Sequence, residues 1–314
     1  MSSHRREFRA MGTDCSVLIF AASEVFGGQL CDLAIQRVEI LEQCWSRFRP
    51  SSELSRLNEQ AGAGPVEVSD DLFTLVEAMS EACALTGGLF DPTVLANMRA
   101  IGYDVDYAAV IARDALFYAG MPRVSPVPGM GSVVLDASMQ TVSLPVGVGL
   151  DPGAIGKGLG ADIIVDEFLA AGADGVLINL GGDIALGGLP GTDPQWNIDV
   201  VDERDLQRHA RLPSMTFPAG IAHAGVATST TLGRVWGTRH HVIDPRTGQC
   251  AESDLVQVTI SANSGWWAEV AATTALIAGS AQAPSWLDDH RLQYLLLSST
   301  TMQTSDVLAG VHSG

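Results

Sequence analysis

Basic residues are scarce in this chain: 18 Lys and Arg stand against 36 Asp and Glu, and the formal net charge is −18. No extended basic run exists. Binding to a nucleic-acid backbone needs clustered cations, so a nucleic-acid partner is excluded. Long apolar runs are missing too. No uninterrupted stretch of about 18 apolar residues is available for a membrane span. None follows the charged opening MSSHRREFRAMGTDC to make a secretory signal, and Cys15 lacks the apolar region that precedes a lipid-anchored cysteine. The expectation is a cytoplasmic protein with no membrane anchor. Cysteine is sparse: Cys15, Cys31, Cys44, Cys83 and Cys250 are odd in number and hold no C-x-x-C pair. They fit small buried side chains in a reducing compartment better than a disulfide framework.

What is present is an ordinary globular balance, with 46% apolar and 17% charged residues over 314 positions. Residues 14–21 (DCSVLIFA) read as a strand. Ala34, Val38, Leu41 and Trp45 recur at helical spacing after it. Ser69 as N-cap, acids at 70 and 71, and Leu72, Leu75, Val76, Met79 and Cys83 on one face predict a second helix, stopped at Gly87-Gly88. Residues 103–118 are weakly helical. Pro122, Pro126 and Pro128 mark a loop, and a candidate sub-domain boundary near 121–130 within a single domain spanning 1–314. Val133–Asp136 and Thr141–Leu144 form a hairpin pattern. A helix is expected from Ile155 to Ala171, strands at Leu177–Leu180, Trp196–Val201, Leu255–Ile260 and Tyr294–Ser298, and a helix from Trp266 to Ala278. Hairpins mixed with crossovers predict an α+β fold of mixed sheets with packed helices.

Leu150–Gly188 carries most of the chemistry. A glycine-rich turn with Asp151 and Lys157 runs into a helix, then into a short apolar strand ending in Gly181-Gly182-Asp183. Glycines let backbone N–H groups approach a ligand, and a helix N-terminus favours phosphate. Gly153-Ala-Ile-Gly156-Lys157-Gly158 lacks both the four-residue spacer of a P-loop and the Ser or Thr after its lysine. Gly147-Val-Gly149 lacks the third glycine of a dinucleotide fingerprint, because Pro152 stands there. Neither a P-loop nor a Rossmann core is expected.

Five blocks remain, in order. The first three are Met11-Gly12-Thr13, Ser46-Arg-Phe-Arg-Pro-Ser-Ser-Glu53-Leu-Ser-Arg-Leu-Asn58 and Thr86-Gly-Gly-Leu-Phe90-Asp91-Pro92-Thr93. The glycine-rich segment is the fourth. The fifth runs from Val226-Ala-Thr228-Ser229 through His240-His241-Val-Ile-Asp244-Pro-Arg-Thr-Gly248. Together they resemble the ApbE family, the FAD:protein FMN transferases. The resemblance runs from about Phe8 to Gly279.

That resemblance implies an ApbE-like fold and Mg²⁺-dependent cleavage of the FAD pyrophosphate. FMN passes to a Thr or Ser hydroxyl of a target flavoprotein, and AMP is released. It assigns metal binding to Glu269, to Thr273 four residues on, and to the backbone carbonyl of Ala154. The usual residue at the first position is Asp; Glu is longer by roughly 1.5 Å, and octahedral Mg²⁺ tolerates little misplacement. His241 aligns with the histidine near the attacking hydroxyl, where an ordinary imidazole suits a general base. Met11, Phe48, Leu89, Phe90, Asp91, Asp151, Lys157 and Ile243 fall at FAD-contacting positions. Phe48 stands where Tyr is common, so stacking persists without the hydroxyl. Asp151 is expected to accept hydrogen bonds from an adenine or ribose edge, and Lys157 to add charge near the phosphates. Asp183, Thr228 and Ser229 are secondary candidates. Two alternatives share these residues: an FAD pyrophosphatase giving FMN and AMP, and a non-catalytic FAD-binding protein.

Overall fold

The computed structural model of the protein describes residues 1–114, 120, 124–205 and 210–305. The chain opens with β1 (Ser2–Ala10), β2 (Thr13–Ala21), α1 (Glu24–Trp45), α2 (Glu53–Glu59), β3 (Val66–Glu67) and α3 (Asp70–Leu85). It continues through α4 (Leu95–Ala100), α5 (Tyr107–Ile111), β4 (Val134–Asp136), β5 (Thr141–Ser143) and α6 (Gly156–Ala170). Strands β6 (Gly175–Leu180), β7 (Asp183–Gly188), β8 (Gln195–Val201), β9 (Arg211–Pro218) and β10 (Ile221–Thr230) follow. Four two-residue strands come next: β11 (Val235–Trp236), β12 (Arg239–His240), β13 (Ile243–Asp244) and β14 (Gln249–Cys250). The last elements are β15 (Leu255–Ala262), α7 (Gly265–Ala278), α8 (Ala283–Asp289), β16 (Gln293–Ser298) and β17 (Met302–Thr304).

These elements gather into two compact units. Unit 1 is Met1–Glu39, Ala154–Thr230 and Ser253–Gly314; unit 2 is Ile40–Gly153 and Thr231–Glu252. The chain therefore passes between units at four places, and Pro126 and Pro128 fall inside the longer segment of unit 2 instead. Residues 121–123, with Pro122, lie outside the described residues, as do 115–118 of the weakly helical stretch.

Unit 1 is built on an eight-stranded sheet in the order β1-β2-β6-β7-β10-β15-β16-β17, with every neighbouring pair antiparallel. That pairing is incompatible with a doubly wound parallel core, so the expected α+β class holds. The alternation in β2 shows why the sheet has two covered faces. Cys15, Val17, Ile19 and Ala21 are buried in a cluster with α1 and α6, while Leu18 and Phe20 pack on the opposite side with the β8–β9 ribbon. Trp196, Ile198 and Val200 supply that ribbon's inner face, alternating with polar or exposed residues.

Unit 2 carries the short sheet β3-β5-β4 and the hairpins β11–β12 and β13–β14. Helix α3 begins as its sequence demands: the Ser69 hydroxyl accepts from Leu72 N, and Leu72, Leu75, Val76 and Met79 are buried. It ends at Thr86, with Gly87 and Gly88 both at positive φ, 59° and 83°. The Asp244–Gly248 turn joins β13 to β14, where Gly248 N donates to Asp244 O at 2.7 Å.

Helices α6 and α7 in unit 1 cap each other. Asp162 on α6 accepts from Gly265 N at 2.7 Å and Trp266 N at 2.8 Å, the first turn of α7. Glu269 on α7 accepts from Gly158 N at 2.7 Å, in the first turn of α6. Each carboxylate lies four residues beyond the glycine of its own helix that meets the other helix. Neither helix has a side-chain cap of its own, so each opening turn borrows a carboxylate from its neighbour.

Asp162 is itself held from β10. His223 Nε2 lies 2.6 Å from Asp162 Oδ1 and Nδ1 lies 2.9 Å from Asp166 Oδ1. Burial works against a charged ring, but the hydrogen bond and charge of Asp162, reinforced by Asp166, prevail and raise the His223 pKa above the ordinary histidine value. A raised folded pKa gives stability that is complete below the unfolded value of about 6.5 and lost as pH rises through the folded value. Thermal unfolding should therefore show a margin of the natural protein over His223→Gln that shrinks from about pH 6.5 upward. A margin constant with pH would place the contribution elsewhere.

Candidate functional site

The expected site residues fall in two groups, one in each unit. In unit 1, Lys157, Asp183 and Glu269 converge. The Lys157 ammonium contacts Asp183 Oδ2 and lies 3.2 Å from Glu269 Oε1. Asp183 and Glu269 are only 2% and 3% exposed. Two buried carboxylates thus share one ammonium, and the cluster keeps an excess negative charge that is expensive away from water.

Local structure fixes both acids. Asp183 opens β7 directly after the Gly181-Gly182 turn, whose φ values of 73° and 98° suit glycine. Glu269 sits in the second turn of α7, a helix buried nearly all round, and its Oε2 is tied to Gly158 N. The side chain thus spans from α7 to the first turn of α6. Thr273 lies one turn further along α7 and shares a 2.7 Å hydrogen bond with Ser229 of β10. Thr228 instead bonds Thr259 across the β10–β15 ladder at 2.8 Å. Ala154 stands before α6 at φ 68°, a left-handed conformation that costs a non-glycine residue about 1–3 kcal/mol. Met11 occupies the β1–β2 turn, also at positive φ (50°), and packs on the core under α1 and α6.

Among the described residues no group of three His, Cys, Asp or Glu side chains is placed to hold a metal. The residues expected to hold a metal offer another kind of donor: the Glu269 carboxylate, with Asp183 beside it on Lys157, the Thr273 hydroxyl and the backbone carbonyl of Ala154. All are oxygen donors, which suits a hard cation such as Mg²⁺, and their uncompensated charge points the same way.

In unit 2 the residues around Phe48 centre on Arg47. Its Nε lies 2.9 Å from Asp151 Oδ2, with both side chains 5% exposed, and Nη1 donates to Tyr103 O at 2.7 Å. The guanidinium carbon sits 4.0 Å from the Phe48 ring centroid and 4.6 Å from that of Tyr103. Phe48 therefore has one face packed on a fixed cation and remains 37% exposed. Asp151 Oδ1 accepts from Gly153 N at 2.8 Å, so the carboxylate expected to meet adenine or ribose is engaged in shaping the turn ahead of Ala154. Phe90 is buried. Asp91 caps the short Pro92–Val94 turn, its Oδ1 accepting from Thr93 N at 2.9 Å and Thr93 Oγ1 at 2.6 Å. Leu89, just before them, is half-buried.

Ile243 is buried against Met98, Ile101 and Tyr103. The two histidines before it differ. Burial lowers the pKa of His240, whose Nε2 bonds Ala251 O at 3.1 Å while Nδ1 accepts from Val242 N at 3.3 Å. Both of its ring nitrogens are engaged by backbone groups. His241 is half-buried in the link from β12 to β13.

Residues 11–296 match the profile described as the ApbE family. The chain belongs to the ApbE family. It is 32% identical over 289 residues to a protein of Treponema pallidum (strain Nichols) named FAD:protein FMN transferase, covering 86% of this chain and 77% of that one. A protein of Vibrio cholerae serotype O1 with the same name is 25% identical, covering 92% and 86%. Among solved structures, the ApbE protein of Thermotoga maritima superposes with a TM-score of 0.85 at 20% identity, covering 100% of both chains. The flavin transferase ApbE of Vibrio cholerae gives 0.76 at 22% identity, over 98% and 99%. The fold is thus that of ApbE proteins, and the curated relatives are transferases by name.

Sequence reasoning missed Arg47 in this ApbE chain, and it placed Lys157 near the phosphates without foreseeing its contacts with Asp183 and Glu269. Arg47 was inside a quoted block, and the aromatic residue beside it was the available signal. Lys157 carried a plainer one: it is the only lysine in the sequence, all other basic positions being arginine.

Proposed function

We propose that this protein transfers FMN from FAD to a Thr or Ser hydroxyl of a target flavoprotein and releases AMP, with Mg²⁺ as cofactor. The observation that supports it most is the buried Lys157–Asp183–Glu269 cluster at the start of α6, an excess of negative charge beside a helix N-terminus. A plain phosphate site would carry only positive charge; this one calls for a dication between protein and pyrophosphate. Ala154 carbonyl, Glu269 and Thr273 would hold the ion, which supplies neutralisation of the pyrophosphate oxygens.

The chain's own groups do the rest. The acceptor hydroxyl attacks the FMN-side phosphorus, a new phosphoester bond forms, and the bond to the AMP oxygen breaks. His241 takes the hydroxyl proton on a ring nitrogen, and Lys157 balances charge on the departing AMP. Phe48, braced from behind by Arg47, offers its exposed face to a ring of FAD. Asp151 acts through the turn that it holds, and Met11, Leu89, Phe90, Asp91 and Ile243 shape the rest of the binding surface.

Incubation of the protein with FAD, Mg²⁺ and a flavoprotein bearing an exposed Thr motif is expected to give an acceptor band that fluoresces after denaturing electrophoresis. Release of FMN and AMP without acceptor labelling would instead mark an FAD pyrophosphatase. Unchanged FAD would mark a binding protein.

A further inference from the structure

Lys157 stands on the oxygens that a cation would need. Its ammonium contacts Asp183 and Glu269, whose side chains are 4% exposed each, and is itself only 25% exposed. The Glu269 carboxylate is fixed independently of it, and Asp183 has its backbone held. Glu269 is tethered to Gly158 N, and Asp183 by its place at the head of β7. Removing the lysine from between them leaves Glu269 tethered and the cluster more negative. A dication entering with the ammonium still in place would crowd two cations onto the same oxygens. Entering as the ammonium leaves, it would make the cluster neutral.

The residue type fits such an exchange. Among 18 basic residues only this one is lysine. Arginine's planar fork locks onto carboxylates in two-point pairs, as Arg204 does with Asp202 and Arg246 with Asp244. An ammonium is a compact point charge on a flexible stem, close to a metal ion in the way it addresses oxygen and free to swing away.

We infer that Lys157 is a placeholder cation: it holds the Asp183 and Glu269 oxygens until a divalent ion takes them, and the same event releases its ammonium for the substrate. Asp183 is then the residue that positions Lys157 before substrate binds. The inference rests on the flavin-transferase reading for the divalent ion and for the phosphate group that receives the released ammonium.

The test is calorimetric titration of Mg²⁺, without FAD, into the natural protein, Lys157→Met and Glu269→Gln. Lys157→Met is expected to bind Mg²⁺ at least about tenfold more tightly than the natural protein, a gain of about 1.4 kcal/mol. Equal or weaker binding in Lys157→Met, with binding lost in Glu269→Gln, overturns the placeholder and leaves the metal assignment standing. Absence of Mg²⁺ binding in both the natural protein and Lys157→Met overturns both. Should Lys157→Met fail to fold, natural protein labelled with ¹⁵N-lysine carries a single side-chain ammonium signal. Saturating Mg²⁺ is expected to shift that signal or lose it to solvent exchange; an unchanged signal overturns the placeholder.

Discussion

Glu269→Ala is expected to abolish FMN transfer and also to lower the stability of unit 1. The residue does two jobs with two oxygens: Oε2 satisfies Gly158 N in the first turn of α6, and Oε1 faces the Lys157 ammonium. Alanine removes both. Loss of a capping acceptor alone costs about 0.5–2 kcal/mol, and here Lys157 and Asp183 are left behind in a buried, altered charge balance. Glu269→Gln separates the two jobs, since its amide oxygen can still accept from Gly158 N while the charge is gone. The glutamine variant should melt near the natural protein yet lose Mg²⁺ binding and turnover. Full transfer activity in either variant would remove Glu269 from the chemistry.

Gly158→Ala should be nearly as damaging, through shape alone. A Cβ on Gly158 would lie 2.5 Å from the Gly265 carbonyl carbon and 2.7 Å from Trp266 N, both backbone atoms that no rotamer change can move. Helices α6 and α7 would have to separate. Overpacking of this kind costs typically about 1–3 kcal/mol. Separation would also draw Glu269 off Gly158 N and Asp162 off Gly265 N and Trp266 N, undoing both borrowed caps at once. Urea unfolding should show the loss of stability, and Mg²⁺ titration a parallel loss of affinity. A variant with natural stability would mean that the two helices tolerate more space than their glycine contact indicates.

The parts of the fold legible in the sequence are those whose own residues decide them. Helix α3 was readable because Ser69, two acids and a clean apolar face all speak locally, and β2 because its alternation is strong. Strand β1 was not readable: SSHRREFRA is mostly charged or polar, and it is a strand because its backbone pairs with β2 along nine residues. Strand β7, DIALGG, is short and ends in glycines, and is set by partners on both sides. The candidate site divides in the same way. Glycines, Asp151 and Lys157 announce a ligand-binding turn, but nothing near Glu269 indicates that its partner N–H belongs to a residue 111 positions earlier. Asp162, in the middle of an apolar helix, gives no local hint that it caps another helix.

Strand β2 lies opposite β6, with Cys15 against Leu180, and the main body of unit 2 (Ile40–Gly153) is encoded between them. This has a consequence for synthesis. The β1–β2 hairpin is made well before its partner strand, and its inner edge has no mate until some 165 further residues are made. At about 5–20 residues per second, that is a wait of roughly 8–33 s with the inner backbone edge of β2 unpaired. Unit 2 is interrupted too, since Thr231–Glu252 arrives only after β10. Such non-local closure makes folding slow and exposes an unmatched apolar edge to other nascent chains. The outer strand of that hairpin, β1, is mostly charged or polar, with Arg5, Arg6 and Arg9 paired to Glu7, Asp32 and Asp14, which keeps that edge hydrophilic. Refolding yield should accordingly fall with protein concentration, and the nascent chain is a natural client for a chaperone that binds extended apolar segments.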